Sequence, residues 1–532
     1  MRFFLSKFVS VGLLFAILLV TVHLLFSYLS IPGIVSVMFA LFLLLLLWWT
    51  SADIYDRVFR KVYGVKWIPF KALEDYSYPL SAYLQELLRK HDLHIKKLGF
   101  VDDDRPICIT YGEGSNGIRL IISSGVLHHL DEHEMQAVIA HEVGHMVVGD
   151  FPVLTAAYLP AFLLYLPAKA YWRNNRSFRP LMPVGMAFYF LHLLLSLPVL
   201  PQSRLREYYA DEFASAASNP NNLAVAISKI SLAFISQSGR RKSVNFMEAA
   251  RPFSIIDYKN ARNLALAYLS RKGTGSWALM ENLVIQDLYN PWPALFEINS
   301  SHPLQGKRLV FLCLKSESLG GTPILDLQRM YASKITGTLF KLNFIEDFIV
   351  YMIARFSPFL ILLLLILGRF YDKSYALGVI ALLYGLGVAL LSLYSFSYVK
   401  FRNQTIREQM EDIYVSPIRG RPLILEGVIR EKSSLGLDLP EDLIFADHSG
   451  EIFIGPRSLM PLVISPYISA SSLMKLKDKR VRVKGWYMRG RYPKLIIDEV
   501  VAENSMLHAR QRLFDMGLAS LVISAGIILM MV

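Results

Sequence analysis

The sequence predicts a mainly α-helical, multi-pass membrane protein with a small β-barrel near its C-terminus. Three observations carry that prediction. Hydrophobic residues make up 54% of the 532-residue chain against 19% charged, with a mean hydropathy of +0.38, a balance that argues against an ordinary soluble globular protein. Apolar runs long enough to cross a bilayer recur along the chain, flanked by basic residues. From about residue 421 to 503 the pattern becomes short alternating runs separated by turn residues, as strands require. The formal net charge of +13 is compatible with a nucleic-acid partner, but membrane proteins gather Lys and Arg for topological reasons, and that explanation is preferred. Cys108 and Cys313, the two cysteines, supply neither a disulfide framework nor a thiolate cluster and read as reduced core residues.

In chain order, residues 1–50 read as a transmembrane hairpin, with runs at 8–30 and 33–50 broken by Ser30-Ile31-Pro32-Gly33. The first run has no small-residue cleavage site after it and reads as an anchor, not a removed signal. Arg2 and Lys7 precede the hairpin and Arg57, Arg60, Lys61, Lys66 and Lys71 follow it, so both ends are expected on the cytoplasmic side of the cell membrane. Residues 51–345 form the next domain, interrupted by a second hairpin at about 151–200. Its runs hold Pro152, Pro160, Pro167, Pro183 and Pro198, a density suited to membrane helices. The linker at 169–179, with Arg173, Arg176 and Arg179, runs against the cytoplasmic orientation, and the first hairpin is taken to dominate.

A third hairpin is expected at 346–400, through runs at about 349–368 and 376–397, and Lys400, Arg402 and Arg407 return the chain to the basic side. Residues 401–505 hold the barrel, with strands at 423–429, 443–446, 452–454, 481–488 and 495–501, resembling an oligonucleotide/oligosaccharide-binding (OB-like) fold. Trp486, Tyr487 and Phe453 have rings able to stack on bases, but aromatics in so small a barrel belong to its core. The module therefore reads as a protein-contact or regulatory unit, and a nucleic-acid partner is disfavoured. Residues 506–532 end in an apolar run just long enough for one more crossing.

The chemistry concentrates in residues 131–150, DEHEMQAVIAHEVGHMVVGD. Asp131 and Glu134 form a capping box, and Met135, Val138, Ile139, Val143 and Met146 recur at helical spacing, so one helix carries His141, Glu142 and His145 as H-E-x-x-H. Imidazoles four residues apart share a helical face and can point at one zinc ion, while Glu142 is placed to take a proton from the attacking water. A third ligand is needed, and Val148 and Phe151 stand where a metzincin would have Gly and His. Downstream, SRLREYYADEFA at 203–214 puts Glu207 and Asp211 on one helical face. Glu207 completes a two-histidine, one-carboxylate site, and Asp211 can hold a ligand histidine's second ring nitrogen.

Upstream, residues 80–91 are amphipathic and 107–111 and 118–123 read as strands. The intervening GEGSNG, 112–117, matches the dinucleotide-binding pattern, but a strand follows it where a helix is required, so it reads as a hairpin turn. The second strand, with Arg119, Leu120, Ile121 and Ile122, is the candidate for pairing with an extended substrate peptide. His128, His129 and His133 read as surface residues. Ser300-Ser301-His302-Pro303 resembles a helix start, with His302 at the cap.

HEVGH, REYYAD and SSHP followed by Arg308 together resemble the HtpX and type-I CAAX prenyl protease group of membrane zinc metalloendopeptidases over about residues 75–315. The resemblance implies a gluzincin-like fold, one Zn2+ per chain held by His141, His145 and Glu207, Asp211 in support, Glu142 as catalytic base, and His302 as a substrate or transition-state contact. It implies polypeptide substrates in or beside the lipid bilayer, with prenylated CAAX proteins and damaged membrane proteins both open. Where HtpX members often carry N-A-F-A, this chain has Ile107-Cys108-Ile109-Thr110, so a contact by that Asn does not transfer. Two rival readings stand beside it. A site-2-type intramembrane protease also uses H-E-x-x-H, but it takes a ligand from an L-D-G segment that does not occur here. A non-catalytic scaffold would use the barrel to bind a partner.

Overall fold

The computed structural model describes residues 12–173, 189–236, 252–268, 277–332, 338–366, 373–431, 443–455, 472–509 and 511–531, apart from gaps of one to three residues within them. Arg2, Lys7, Arg176, Arg179 and the start of the run expected at 181–200 lie outside the described residues. The chain divides into two compact units, residues 1–265 with 295–327 and residues 266–294 with 328–532.

The first unit opens with apolar helix Phe15–Tyr28 and then α1, Gly33–Tyr63, which is long and apolar enough to cross a membrane. Gly64 ends α1 in the left-handed region at φ 75°, where a Cβ would be strained. A four-stranded sheet follows. It is built from β1 (Lys66–Ile68), β2 (Ile95–Val101), β3 (Cys108–Gly112) and β4 (Ile118–Ser123), with α2 (Tyr78–Lys90) between the first two strands. Its order is β1-β2-β4-β3. β3 and β4 form the expected hairpin around residues 112–117, in the register Cys108 to Ile122 and Gly112 to Ile118, whereas the sequence reading did not anticipate β1 and β2.

This sheet corrects the expectation for Arg119, Leu120, Ile121 and Ile122. β4 pairs with β2 in parallel on one side and with β3 antiparallel on the other, so its backbone groups are already used. Arg119 is fully buried. Its guanidinium meets Asp53 at 3.1 Å and Asp56 at 3.4 Å, both on α1, and Glu113 at 3.1 Å. The residue anchors the sheet to α1 and is not available to a peptide.

After the sheet come α3 (Glu132–Val148), α4 (Phe151–Arg173), α5 (Leu200–Ala217), α6 (Pro220–Ser236) and α7 (Gln305–Ser318). α4 leaves α3 through a bend of 94°, directly after Gly149 caps α3 at φ 62°.

The second unit contains α8 (Thr338–Ile366), α9 (Lys373–Ser395) and α10 (Gln511–Met531). Spans at 374–395 and 512–531 are also long and apolar enough to cross a membrane. α9 and α10 approach closely at small residues: a Cβ on Gly378 would fall 2.7 Å from the Gly526 carbonyl. The barrel comprises β5 (Arg402–Asn403), β6 (Arg421–Glu431), β7 (Leu443–Ala446), β8 (Glu451–Ile454), β9 (Arg480–Arg489), β10 (Pro493–Ala502) and β11 (Ser505–His508). Five strands close a ring in the order β6-β7-β8-β10-β9, with β9 returning to β6, while β5 and β11 extend it at the margins. Leu423, Leu425, Phe445, Ile452, Val483, Tyr487 and Leu495 fill the interior. Trp486 packs outside that cluster against Phe396 and donates its indole N–H to the Ser397 carbonyl at 2.9 Å. Trp486, Tyr487 and Phe453 are all buried, so none presents a ring face to a nucleic acid.

Candidate metal centre

α3 starts where the sequence places its cap. Asp131 Oδ1 accepts the Glu134 N–H at 3.0 Å, and Glu134 Oε2 accepts the Asp131 N–H at 3.0 Å. Lys229 from α6 adds an ammonium 2.6 Å from the Glu134 carboxylate. Two turns further on, the His141 and His145 rings stand 4.8 Å apart and are buried together with Glu142. α5 supplies Glu207 and Asp211, both fully buried.

The two helices approach because a glycine lies between the motif residues. A Cβ on Gly144 would come within 3.0 Å of Ala210 Cα and of Phe213 Cβ, so only a bare backbone lets α5 settle this close. Glu207 is one turn before Ala210 on that helix. Its Oε2 lies 3.5 Å from His141 Nε2 and its Oε1 lies 3.5 Å from His145 Nε2.

One ligand atom from each of His141, His145 and Glu207 lies within 4.8 Å of the others. Donors held tetrahedrally at zinc's usual bond lengths of about 2.0–2.1 Å sit roughly 3.3 Å apart, so the histidine–carboxylate separations suit such an ion. His141 Nε2 and Glu207 Oε2 are buried polar atoms with no hydrogen-bond partner, which is costly unless a cation bridges them. The residues fit a metal.

Electrostatics agree with this geometry. Burial works against a charge on His141, but Asp211 and Glu207 outweigh it and lift the imidazole to about 9. The same excess of negative charge favours a dication in place of that proton. Burial likewise opposes ionisation of Glu207, yet the neighbouring His141 and His145 imidazoles and the Arg308 guanidinium hold its carboxyl well below the usual range. Asp211 Oδ1 lies 3.0 Å from His141 Nδ1, an ion-pair distance, on the far side of the ring from Nε2, the nitrogen that faces Glu207. Arg308 grips Asp211 from behind with two hydrogen bonds, Nε to Oδ2 at 2.9 Å and Nη2 to Oδ1 at 2.7 Å.

His302 is not a helix cap: α7 begins at Gln305 with Leu304 before it, because Pro303 and Leu304 are still extended or turning. The ring is buried beside the metal residues instead. Its Nε2 lies 3.4 Å from Glu207 Oε2 and 2.5 Å from the Ser254 carbonyl, and its Nδ1 lies 2.8 Å from Ser301 Oγ. Burial, reinforced by Arg308, outweighs the pull of Glu207 and lowers the ring to about 4, so it stays neutral. The Ser254 residue also bridges Ile109 on the outer edge of β3, and Ile255 gives its carbonyl to Arg308 Nη1 at 2.5 Å. His128 and His133 are exposed and His129 is half-buried, away from the cluster.

The family model for peptidase family M48 matches residues 79–313, the stretch that contains all of these side chains. Residues 79–313 are therefore similar to the metallopeptidases of that family. A protease HtpX homolog of Pyrobaculum calidifontis is 29% identical over 240 residues, covering 44% of this chain and 67% of the relative. That of Aeropyrum pernix is 27% identical over 310 residues, or 53% of this chain and 86% of the relative. One from Aquifex aeolicus is 26% identical over 211 residues, or 37% and 67%. No solved structure matches. The chain is thus similar to the HtpX metalloproteases over this stretch, and it has helices long and apolar enough to cross a membrane.

Two contacts in residues 79–313 escaped the sequence reading. The clamp of Arg308 on Asp211 joins motifs 97 residues apart, and spacing carries no signal for it. Thr110 donates its hydroxyl to Glu142 Oε2 at 2.7 Å. Strand alternation did carry a signal there, since it puts Cys108, Thr110 and Gly112 on one face of β3, and Thr110 on that face meets α3.

Proposed function

We propose that this protein is a zinc endopeptidase cutting membrane or membrane-adjacent polypeptides on the cytoplasmic side. His141, His145 and Glu207 would hold one zinc ion. When bound, zinc supplies Lewis acidity toward the peptide carbonyl and the attacking water. Glu142 takes one proton from that water as its oxygen bonds to the carbonyl carbon, then delivers it to the departing amide nitrogen as the C–N bond breaks. Asp211 fixes the His141 tautomer, and Arg308 fixes Asp211. His302, neutral and within reach of a main-chain carbonyl, donates to the substrate where it now donates to Ser254.

Since β4 has both edges paired, substrate backbone is assigned to the outer edge of β3, where, among the described residues, Ser254 makes one isolated bridge that a peptide can replace. The cytoplasmic assignment rests on Arg57, Arg60 and Lys61 in the last turns of α1. The barrel we read as OB-like and as a protein-contact module, supported by its five-membered ring whose one parallel pair is β8 with β10. The approach of Glu207 to both imidazoles carries the whole proposal. Its test is Glu142→Gln in proteoliposomes with an unfolded membrane-protein substrate: zinc stays bound and cleavage stops. Undiminished cleavage would remove Glu142 from the mechanism.

A further inference from the structure

Glu142 is fully buried, and its two carboxylate oxygens have different surroundings. Oε2 accepts the Thr110 hydroxyl at 2.7 Å, whereas Oε1 has no hydrogen-bond partner among the described residues. Thr110 is itself fully buried and lies in β3, opposite Leu120 of β4 in the ladder. Its position is fixed twice over. The strand is paired along its length with β4, and a β-branched side chain on a strand has restricted freedom about χ1. The hydroxyl is thus presented by a rigid element at a set distance from α3.

A glutamate able to accept a proton with either oxygen, through a side chain of three rotatable bonds, is a poorly aimed base. A hydroxyl has one proton to donate, and this one is donated to one oxygen only. We propose that Thr110 is a positioning residue for peptide hydrolysis, its hydroxyl bound to Glu142 Oε2 holding the carboxylate so that Oε1 is the oxygen that receives the proton. The inference rests on the reading of Glu142 as general base. It adds a residue that no motif assigns, on the strand whose outer edge is proposed for the substrate. One segment thereby sets both the peptide backbone and the base that acts on it.

The test compares Thr110→Val, which keeps the shape and removes the hydroxyl, with Thr110→Ser, which keeps the hydroxyl. Both are made in the full chain in detergent, and kcat, KM and bound zinc are measured. Misplacing a catalytic group by about 1 Å costs on the order of 100-fold, so Thr110→Val should lose roughly 10- to 100-fold in kcat. KM and zinc content should stay as in the parent, and Thr110→Ser should recover most of the rate. A second readout needs no activity: the melting temperature of the zinc-free protein. There Thr110→Val should lower the melting temperature when Glu142 is present and change it little in a Glu142→Ala background, because the bond it removes is already gone.

Parental kcat in Thr110→Val, a loss that Thr110→Ser does not restore, or equal melting shifts in both backgrounds would each overturn the proposal. These outcomes are separable from failure of the underlying reading. An active Glu142→Gln sinks the general base itself, whereas an inactive Glu142→Gln with a fully active Thr110→Val sinks only the role of Thr110.

Discussion

Gly144 offers the sharpest mechanical test of how two helices bring three ligands together. In Gly144→Ala the added methyl would stand 3.0 Å from Ala210 Cα and from Phe213 Cβ, and 3.2 Å from the Ala210 carbonyl. Carbon atoms in ordinary contact sit about 3.5–4.0 Å apart, so α3 and α5 must part by roughly 0.5 Å. Backbone cannot swing away as a side-chain tip can. Two effects on stability oppose each other. Alanine gains about 1 kcal/mol over glycine inside a helix, and overpacking costs about 1–3 kcal/mol. Net stability of the zinc-free protein should therefore fall by no more than about 2 kcal/mol. Metal affinity should suffer more. Ligand distances in a zinc site hold to about 0.2 Å, and Glu207 rides on the helix that is displaced. By analogy with other losses of supporting structure, affinity should drop roughly 10- to 100-fold. Competition with a chromophoric chelator measures it, alongside thermal unfolding of the zinc-free form. Zinc affinity unchanged within about twofold, in a protein that folds normally, would refute the claim that this close approach sets the convergence.

Further predictions follow from neighbouring contacts. Arg308→Lys keeps the charge but loses the two-pronged grip on Asp211, so zinc affinity should fall about 10- to 100-fold in the same chelator assay, with the fold retained by circular dichroism. Chelation of zinc should abolish proteolysis and its readdition restore it, scored by appearance of substrate fragments on gels. In the second unit, fully buried Arg489 meets Asp287 at 2.8 Å. Arg489→Ala removes one member of this buried ion pair and should destabilise this unit by about 3–5 kcal/mol in denaturant titrations.

The sequence made the metal helix legible because local rules coincide there. The Asp131–Glu134 capping box, the apolar stripe and the i, i+4 histidines all act within one turn or two. Glu207 and Asp211 were legible as a pair for the same reason, although their meeting with α3 is a tertiary event. The barrel strands were legible from alternation, and their ends shift by only a residue or two. Sheet order was not. Pattern alone makes 118–123 a strand but cannot say that a seven-residue strand at 95–101, with lysines at two of its positions, will cover its free side. The side chain of Arg119 looked available for the same reason, since its partners Asp53 and Asp56 come from α1, more than sixty residues away. His302 was noticed through its motif but placed on a helix that begins three residues later. Thr110 was hidden by its ordinariness in a strand, where β-branched residues need no special explanation.

Zinc K-edge X-ray absorption on the purified full-length protein addresses the central assignment most directly. The account predicts one zinc per chain with two imidazole nitrogens and carboxylate or water oxygens at about 2.0–2.1 Å, and loss of the ion in Glu207→Ala. A sulfur-containing shell, or an unaltered spectrum in Glu207→Ala, would contradict it.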